Sequence, residues 1–592
     1  VYQQKSPVAW RLSLPALPEL LLTNGYGGFT PEEGNYVITL PPGRQTPAPW
    51  CNPLGNNRFG TLAGESGLLL ITAENQMPLT RRPRDTVTPC GSENFFLRDE
   101  NHRLLWSLTR QPLGCHLAVR VTHAPGETVY ESSGYGIYSR MHCFTDLNDP
   151  LGLRVIHLRN EDTTERILTF CHSLMPEGSA HGQPYRVARA GNGFLMDAPG
   201  LEGIYGSCLI DQDASILSVM SAGTFHGLWG VAPAALSSGE MPAAEEGNVA
   251  LLCTTVQLKP GESRTLVCAV GYGEKRSALN GMFRQLQNDG ATRRLHRVKQ
   301  YWEHRLSSLQ FDLPDQGLCL LLNRWLPYQI RAVRQWLPAR LYPYKPESGI
   351  RDCLERIPAL QHTEPGYVRE SLIYCTCSKA RKNPSAGNLQ AAYPIGDLLL
   401  LPWMTALYVQ ETDDRSILEE LLPFPQSSPD RPDAQENTAA SESDRETLQA
   451  FCLKLLLQMP EGAHGLPETG SSPRFFPGES VWLGMFLCES LRRFAPLCSP
   501  AEAEQLLEKR LRLLQLIDRC GWDGSWYLGG WHTDGTPAGS REAQEGSISL
   551  LPQVWAVVCG ASRDRCQSAM ENVWRLLYQK NAGLLRLFTP PF

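Results

Sequence analysis

The chain has 592 residues, of which 42% are hydrophobic and 20% charged. This ordinary globular composition excludes low-complexity, collagen-like and small disulfide-stapled folds, and at roughly 150 residues per domain the length holds about two to four domains. Lys and Arg number 55 against 61 Asp and Glu, for a formal net charge of −6 with no basic block, so nucleic acid is excluded as a natural partner.

Up to about residue 275 the chain reads as short apolar or alternating runs, such as Asn35 to Leu40 and Leu251 to Leu258. Turn clusters separate them: Leu40-Pro41-Pro42-Gly43, Asn148-Asp149-Pro150 and Lys259-Pro260-Gly261-Glu262. This spacing predicts a β-sandwich over residues 1–275. From Ser277 to Leu309 the apolar residues Leu279, Met282, Phe283, Leu286, Leu295, Val298, Trp302 and Leu306 recur at steps of three and four. That pattern predicts amphipathic linker helices over 276–312. Residues 313–592 continue with Leu-rich helical segments at 316–338, 353–361, 366–380, 397–409, 415–422, 444–458, 479–495, 501–519, 547–559 and 563–579. Helices in series with functional loops between them point to an α/α barrel or a helical array. Pro425 to Glu446 lacks apolar anchors and reads as a mobile surface loop.

The 18 cysteines are scattered singly, and the tightest pair, Cys375 and Cys377, has CxC spacing rather than that of a zinc knuckle or a thioredoxin motif. Reduced thiols in a cytoplasmic protein are the simpler reading. No signal peptide is visible, and apolar runs such as Leu398 to Val409, interrupted by Pro402, are too short to cross a bilayer. The chain begins at Val1 and stops at Thr589-Pro590-Pro591-Phe592, so a fragment cut at both ends is expected.

Nine short motifs follow one another across the chain. They are Asn24-Gly25-Tyr26-Gly27-Gly28-Phe29 with Tyr36-Val37-Ile38; Thr46-Pro47-Ala48-Pro49-Trp50; Asn57-Arg58-Phe59-Gly60; Phe96-Leu97-Arg98-Asp99; Asn323-Arg324-Trp325-Leu326 with Tyr328-Gln329; Gly349-Ile350-Arg351-Asp352; His464-Gly465-Leu466-Pro467; Gly478-Glu479-Ser480-Val481-Trp482-Leu483-Gly484; and Trp522-Asp523-Gly524 with Trp526-Tyr527. In this order they resemble glycoside hydrolase family 94, the cellobiose and chitobiose phosphorylases, and most closely the phosphorylase-like domain of cyclic β-1,2-glucan synthases. The resemblance implies an N-terminal β-sandwich, a helical linker and an (α/α)6 barrel, the last incomplete at the C-terminus. It also implies reversible, inverting phosphorolysis of β-linked glucosides to an α-sugar 1-phosphate by a homodimer. Neither a metal nor an organic cofactor is implied; inorganic phosphate is the co-substrate, and a β-glucan oligosaccharide is the partner. The implied location is the cytoplasm, or the cytoplasmic part of an inner-membrane synthase whose membrane segments lie outside this chain.

Such a phosphorylase needs one protonated carboxyl group to donate to the glycosidic oxygen while phosphate attacks from the opposite face. By the resemblance, that acid is an Asp between the His-Gly-Leu-Pro and Gly-Glu-Ser-Val-Trp segments. Here the interval Glu468-Thr469-Gly470-Ser471-Ser472-Pro473-Arg474-Phe475-Phe476-Pro477 is shortened and has no Asp. Glu468 is then either a displaced general acid or an exposed loop residue of a silent site. Glu479, at a helix start, reads as a cap. The implied sugar-binding residues are Arg351, Asp352, His464, Trp482 and Gln553, with Arg351 and Asp352 read equally well as an ion pair at a helix start. Arg356 stands where the family has a second acid, and Glu355 points about 100° away from that position on a helix. Tyr393 and Trp403 remain near the collapsed aromatic stretch Arg381 to Gln390, and Ile548-Ser549 replaces an Ile-Asp. The family's phosphate-binding His and Thr-Gly loop fall beyond the equivalent of Phe592. Three functions follow as alternatives: a phosphorylase-like transferase acting on β-linked glucan, with β-1,2-glucan as the expected substrate; a catalytically inactive glucan-binding or structural module of a glucan synthase; and a hydrolase, for which no acid–base pair can be named.

Overall fold

In the computed structural model the described residues are 14–17, 19–56, 58–73, 77–80, 91–176, 185–190, 192–197, 203–210, 216–220, 244–247, 249–336, 354–355, 358–380, 395–423, 445–469 and 478–591. The chain divides into two compact units, Val1–Glu347 and Ser348–Phe592.

The first unit carries two antiparallel sheets. One runs, in spatial order, Gly27–Phe29, Tyr36–Leu40, Ala118–Ala124, Glu127–Gly134, Ile137–Thr145, Leu151–Asn160, Ser263–Gly273, Ile204–Ile210, Gly193–Asp197, Tyr185–Ala190 and Ala244–Gly247. The other runs Ile216–Met220, Val249–Leu258, Arg166–Leu174, Glu93–Asp99, Gly67–Ala73, Phe59–Gly64 and Cys51–Gly55, with two short strands at its side. Leu54, Phe59, Ile71, Phe95, Trp106, Phe170 and Leu252 of the second sheet pack with Ile38, Val121, Tyr130, Met141, Ile156, Tyr205 and Leu266 into one core. This is the sandwich that the alternating runs predict, because alternate side chains of each strand point to one face.

Two turns show how local chemistry sets the register. Tyr135 and Gly136 both have positive φ, 52° and 77°, the backbone of a two-residue hairpin between Glu127–Gly134 and Ile137–Thr145. Gly126, at φ 78°, closes the preceding hairpin; a Cβ there would collide with Trp302 Cδ1. Glycine is therefore required twice over, by the left-handed backbone and by the close approach of the indole.

The helices Arg276–Asp289 and Ala291–Leu306 arise where three- and four-residue periodicity replaces alternation. Their buried faces, Leu279, Phe283, Leu286, Val298, Trp302 and Leu306, pack with Phe144, Leu151, Leu153, Tyr328 and Ala332. The next helical run, Gln316–Trp336, contains a π-helical turn at Leu321–Trp325. There Arg324 Nη2 donates to Asn35 Oδ1 at 2.8 Å, and Trp325 Nε1 donates to the Gly34 carbonyl at 2.9 Å. The Asn323-Arg324-Trp325 motif thus ties helix to sandwich. Compactness places these helices with the sandwich, whereas the sequence divides the chain at 275/276 and 312/313.

The second unit is helical: Pro365–Ala380, Ile395–Leu398, Leu400–Thr412, Leu448–Leu457, Val481–Phe494, Pro500–Cys520, Leu550–Cys559 and Arg563–Leu576. Pro500–Cys520 opens with a capping box, Ser499 with Glu502, just before Pro500 and an apolar run. The segment predicted as helical at 415–422 is instead a 3-10 turn over Arg415–Glu419, begun by Asp414 accepting from the Ser416 N–H, followed by Leu421–Pro423 paired with Arg445–Thr447. Residues 424–444, most of the predicted surface loop, lie outside the described residues. Among the described residues no helix is long and apolar enough to cross a membrane, and no disulfide joins the cysteines.

Candidate functional site

The site motifs of the second unit converge on a small sheet in which Gly478–Ser480 pairs with Gly530–His532, and that strand with Pro537–Ala538. The His-Gly-Leu-Pro turn folds against it. Gly462 N–H donates to Leu466 O at 2.9 Å, and Ser480 N–H donates to Pro467 O at 2.9 Å. Gly465 takes a φ of 75°, which a side chain would strain.

Glu479 holds this turn together. It is 5% exposed. Its Oε1 accepts from the backbone N–H of His464 at 2.8 Å and of Leu466 at 3.1 Å, while Oε2 lies 2.5 Å from His464 Nδ1. Expected to cap the following helix, Glu479 caps the turn before it instead. Ser480 is the helix cap, its hydroxyl accepting from Leu483 N–H at 3.1 Å. The physical reason is local: Glu479 is still in extended backbone, paired opposite Trp531, and its side chain reaches back across the sheet.

His464 is thereby fixed in two directions. Its imidazole stacks on the Trp531 indole with centroids 4.2 Å apart and planes at 19°. Trp531 is itself anchored by a 3.0 Å bond from Nε1 to the Cys520 carbonyl. Nδ1 faces Glu479, and Nε2 has no hydrogen-bond partner among the described residues. A buried carboxylate at one ring nitrogen and an open second nitrogen is an arrangement able to carry a proton.

Glu468 stands at the edge of the same sheet, bridged through its backbone to Glu479, with its N–H donating to Pro460 O at 3.0 Å. Its side chain is exposed and makes no hydrogen bond or ion pair among the described residues. Thr469 N–H donates to Gly478 O at 2.9 Å, and Thr469 Oγ1 donates to the same carbonyl at 3.0 Å. Gly470 to Pro477 lies outside the described residues, as do Arg351, Asp352, Arg356 and Tyr393.

The other two expected sugar contacts, Trp482 and Gln553, stand on the helices Val481–Phe494 and Leu550–Cys559. Trp482 is half-buried on the helix Val481–Phe494, stacked with Phe486 at 6.0 Å and 11°. Trp555 meets Phe486 edge-on at 5.1 Å, and Trp403 packs on it at 6.0 Å. Gln553 is 0% exposed. Its Oε1 accepts from Tyr527 N–H at 2.8 Å, and its Nε2 donates to Tyr527 O at 2.8 Å and to Ser549 O at 2.9 Å. Both ends of the amide are therefore engaged with the backbone, joining the Trp526-Tyr527 segment to the helix Leu550–Cys559.

The Trp522-Asp523-Gly524 motif is likewise locally tied. Asp523 Oδ2 accepts from Arg541 N–H at 2.5 Å, and Trp522 meets Tyr527 edge-on at 5.0 Å. Tyr527 donates to Asp518 Oδ1 at 3.0 Å; burial first, and then the Asp518 charge, push its phenol well above the usual range. Sequence reasoning missed the roles of Glu479 and Trp531. A usable signal for Glu479 was Ser480 ahead of Val481-Trp482-Leu483, which takes the cap position and leaves Glu479 outside the helix. Among the described residues no group of His, Cys, Asp and Glu has the arrangement of a metal site.

Comparison with known proteins places these features. Residues 301–592 match the glycosyl hydrolase 94 superfamily catalytic domain, and residues 34–174 match the glycosyl hydrolase 94 supersandwich domain. Cyclic beta-(1,2)-glucan synthase NdvB of Rhizobium meliloti is 25% identical over 633 residues, covering 96% of this chain but 22% of its own length. A 3-O-beta-D-glucopyranosyl-beta-D-glucuronide phosphorylase of Paenibacillus borealis is 24% identical, covering 93% of this chain and 74% of its own. An N,N'-diacetylchitobiose phosphorylase of Vibrio furnissii is 22% identical over 96% of this chain and 77% of its own. The chain thus spans about a fifth of the first relative. A bacterial glucoamylase solved with acarbose shares the fold at TM-score 0.57 and 9% identity, covering 91% of this chain and 82% of that one. With a supersandwich domain followed by a helical domain of the barrel type, each matched in order, the chain belongs to glycosyl hydrolase family 94.

Proposed function

We propose that this chain is a phosphorylase-type glycosyltransferase domain that acts on β-linked glucan, with β-1,2-glucan as its preferred substrate and inorganic phosphate as co-substrate. The observation that carries this reading is the joint match of both family domains, in order, together with the similarity to a β-1,2-glucan synthase across 96% of the chain. The reaction needs no metal or organic cofactor: one group protonates the glycosidic oxygen, and phosphate attacks the anomeric carbon from the opposite face. As part of a longer synthase the domain would work as a cytoplasmic homodimer, a state that sedimentation of the purified chain reads directly. Arg351, Asp352, His464 and Trp482 remain the proposed sugar contacts.

A second reading is favoured by one specific observation. The interval Glu468 to Pro477 contains no Asp, and loss of a general acid costs about two to four orders of magnitude in rate. On that reading the domain holds glucan without turning it over.

The deciding experiment measures binding of β-1,2-gluco-oligosaccharides and phosphate-dependent release of α-glucose 1-phosphate by the purified chain. Binding with release supports the transferase. Binding without release supports the holding module, and absence of both, with an intact folding transition, overturns each.

A further inference from the structure

The interval that should supply an acid has no Asp, and the Glu468 side chain is exposed, with no hydrogen bond or ion pair among the described residues to hold it in place. Beside it stands a group built differently. His464 is oriented by the buried Glu479 at 2.5 Å and by the Trp531 face at 4.2 Å, and its Nε2 is open. Turn-holding alone does not account for this geometry. The two backbone bonds from His464 and Leu466 already engage Glu479 Oε1, whereas the contact to Oε2 fixes a ring rather than the chain. The carboxylate at Nδ1 and the indole beneath the ring fix its orientation, so that Nε2 is the ring atom left to exchange a proton with a bound substrate.

We propose that His464 is the general acid of this domain and that Glu479 is its positioning residue; the assignment rests on the phosphorolytic reading above. In the step, the Nε2 proton passes to the glycosidic oxygen as the bond from that oxygen to the anomeric carbon breaks. A phosphate oxygen forms its bond to the anomeric carbon from the opposite face, giving the α-sugar 1-phosphate. Neutral imidazole remains and regains its proton from solvent.

Dependence on the leaving group separates this role from a structural one. With phosphate present, release of glucose 1-phosphate is compared for the β-1,2-linked glucose disaccharide, whose leaving oxygen needs a proton, and for 2,4-dinitrophenyl β-glucoside, whose leaving group departs unaided. His464→Gln is expected to lower release from the disaccharide about 100-fold or more and release from the dinitrophenyl glucoside less than 10-fold. Glu479→Gln should show the same asymmetry in weaker form, and Glu479→Asp should recover part of it. Equal losses on both substrates would mean that His464 only shapes the turn, which overturns the assignment. So would an unchanged His464→Gln, or the same asymmetry in Glu468→Gln. If the parent chain releases nothing from either substrate, the phosphorolytic reading itself fails and the acid assignment with it. Release from the dinitrophenyl glucoside alone by the parent chain overturns only the acid.

Discussion

Arg154 and Glu93 meet at 2.8 Å across the sandwich, one from each sheet, with both side chains withdrawn from water. His172 adds a second bond to Glu93 at 3.0 Å, and Arg154 also donates to Thr61 Oγ1 at 3.1 Å. Burial works to raise the Glu93 carboxyl, but Arg154 and then His172 outweigh it and hold it below the usual range.

Arg154→Met should therefore destabilise the first unit by about 3–5 kcal/mol, because it leaves a buried carboxylate without its cation. The double variant Arg154→Met with Glu93→Gln should recover part of that loss. Urea unfolding read from the sandwich, comparing both with the parent chain, checks it. As Glu93 is depressed, its contribution is present above the unfolded carboxylate range and fades as pH falls through its folded value.

His123 gives a titration in a different window. Its ring is buried between Thr128 Oγ1 at 3.0 Å and the Trp50 carbonyl at 3.1 Å. Burial, only partly offset by the Trp50 contact, lowers it to about 4. Between that value and its ordinary range near 6.5 the unfolded chain binds the proton and the folded chain does not, so stability falls as pH falls. The loss should reach about 3 kcal/mol by about pH 4. His123→Gln should flatten the pH dependence of the sandwich melt in that window, and an undiminished slope would contradict the assignment.

Gly126→Ala meets two penalties, a left-handed backbone and the Trp302 indole in the path of the added carbon. A loss of about 2–4 kcal/mol is expected. Pairing it with Trp302→Leu, which removes the indole but leaves Val298 Cγ1 at 2.8 Å and the φ, should return only part of the packing penalty. Chemical denaturation of the two variants and their combination measures the split.

Gln553→Leu should act on stability rather than on sugar affinity. The substitution strands the Tyr527 N–H and carbonyl in the interior, at a cost of about 1–3 kcal/mol for each group left unpaired. Oligosaccharide titration below the melting transition should give an unchanged dissociation constant. A large loss of affinity in a folded variant would show that Gln553 reaches the sugar.

Much of the architecture is legible from punctuation alone. The change from alternation to three- and four-residue steps near Ser277 coincides with the start of the helix Arg276–Asp289, since burial of one strand face and of one helix stripe leaves different periods. Pro41, Pro150 and Lys259 mark turns that the backbone bonds confirm, as in Arg44 N–H to Pro41 O and Glu262 N–H to Lys259 O. The segment 415–422 misled because the spacing of Ile417, Leu418, Leu421 and Leu422 suits a helix as well as it suits a buried 3-10 turn running into a strand, here with Ile417 and Leu418 inside. The site was less legible. Glu479 and Gln553 are polar residues in motif positions, and sequence does not distinguish a side chain that faces a ligand from one that satisfies backbone groups of a distant loop. Trp531, far along the chain, meets His464 only through strand pairing.

The neck formed by Thr469 and Gly478, joined at 2.9 Å, gives this domain a modular seam. Everything described around it, from the His464 turn to the helix cap at Ser480, is secured on the near side of that neck. Closing a longer or shorter segment at a fixed neck changes its entropy only slowly with length. Substitution and trimming between these two residues can therefore proceed while the frame persists, and the same seam is where a family donor segment carrying an Asp could be grafted to ask whether chemistry returns.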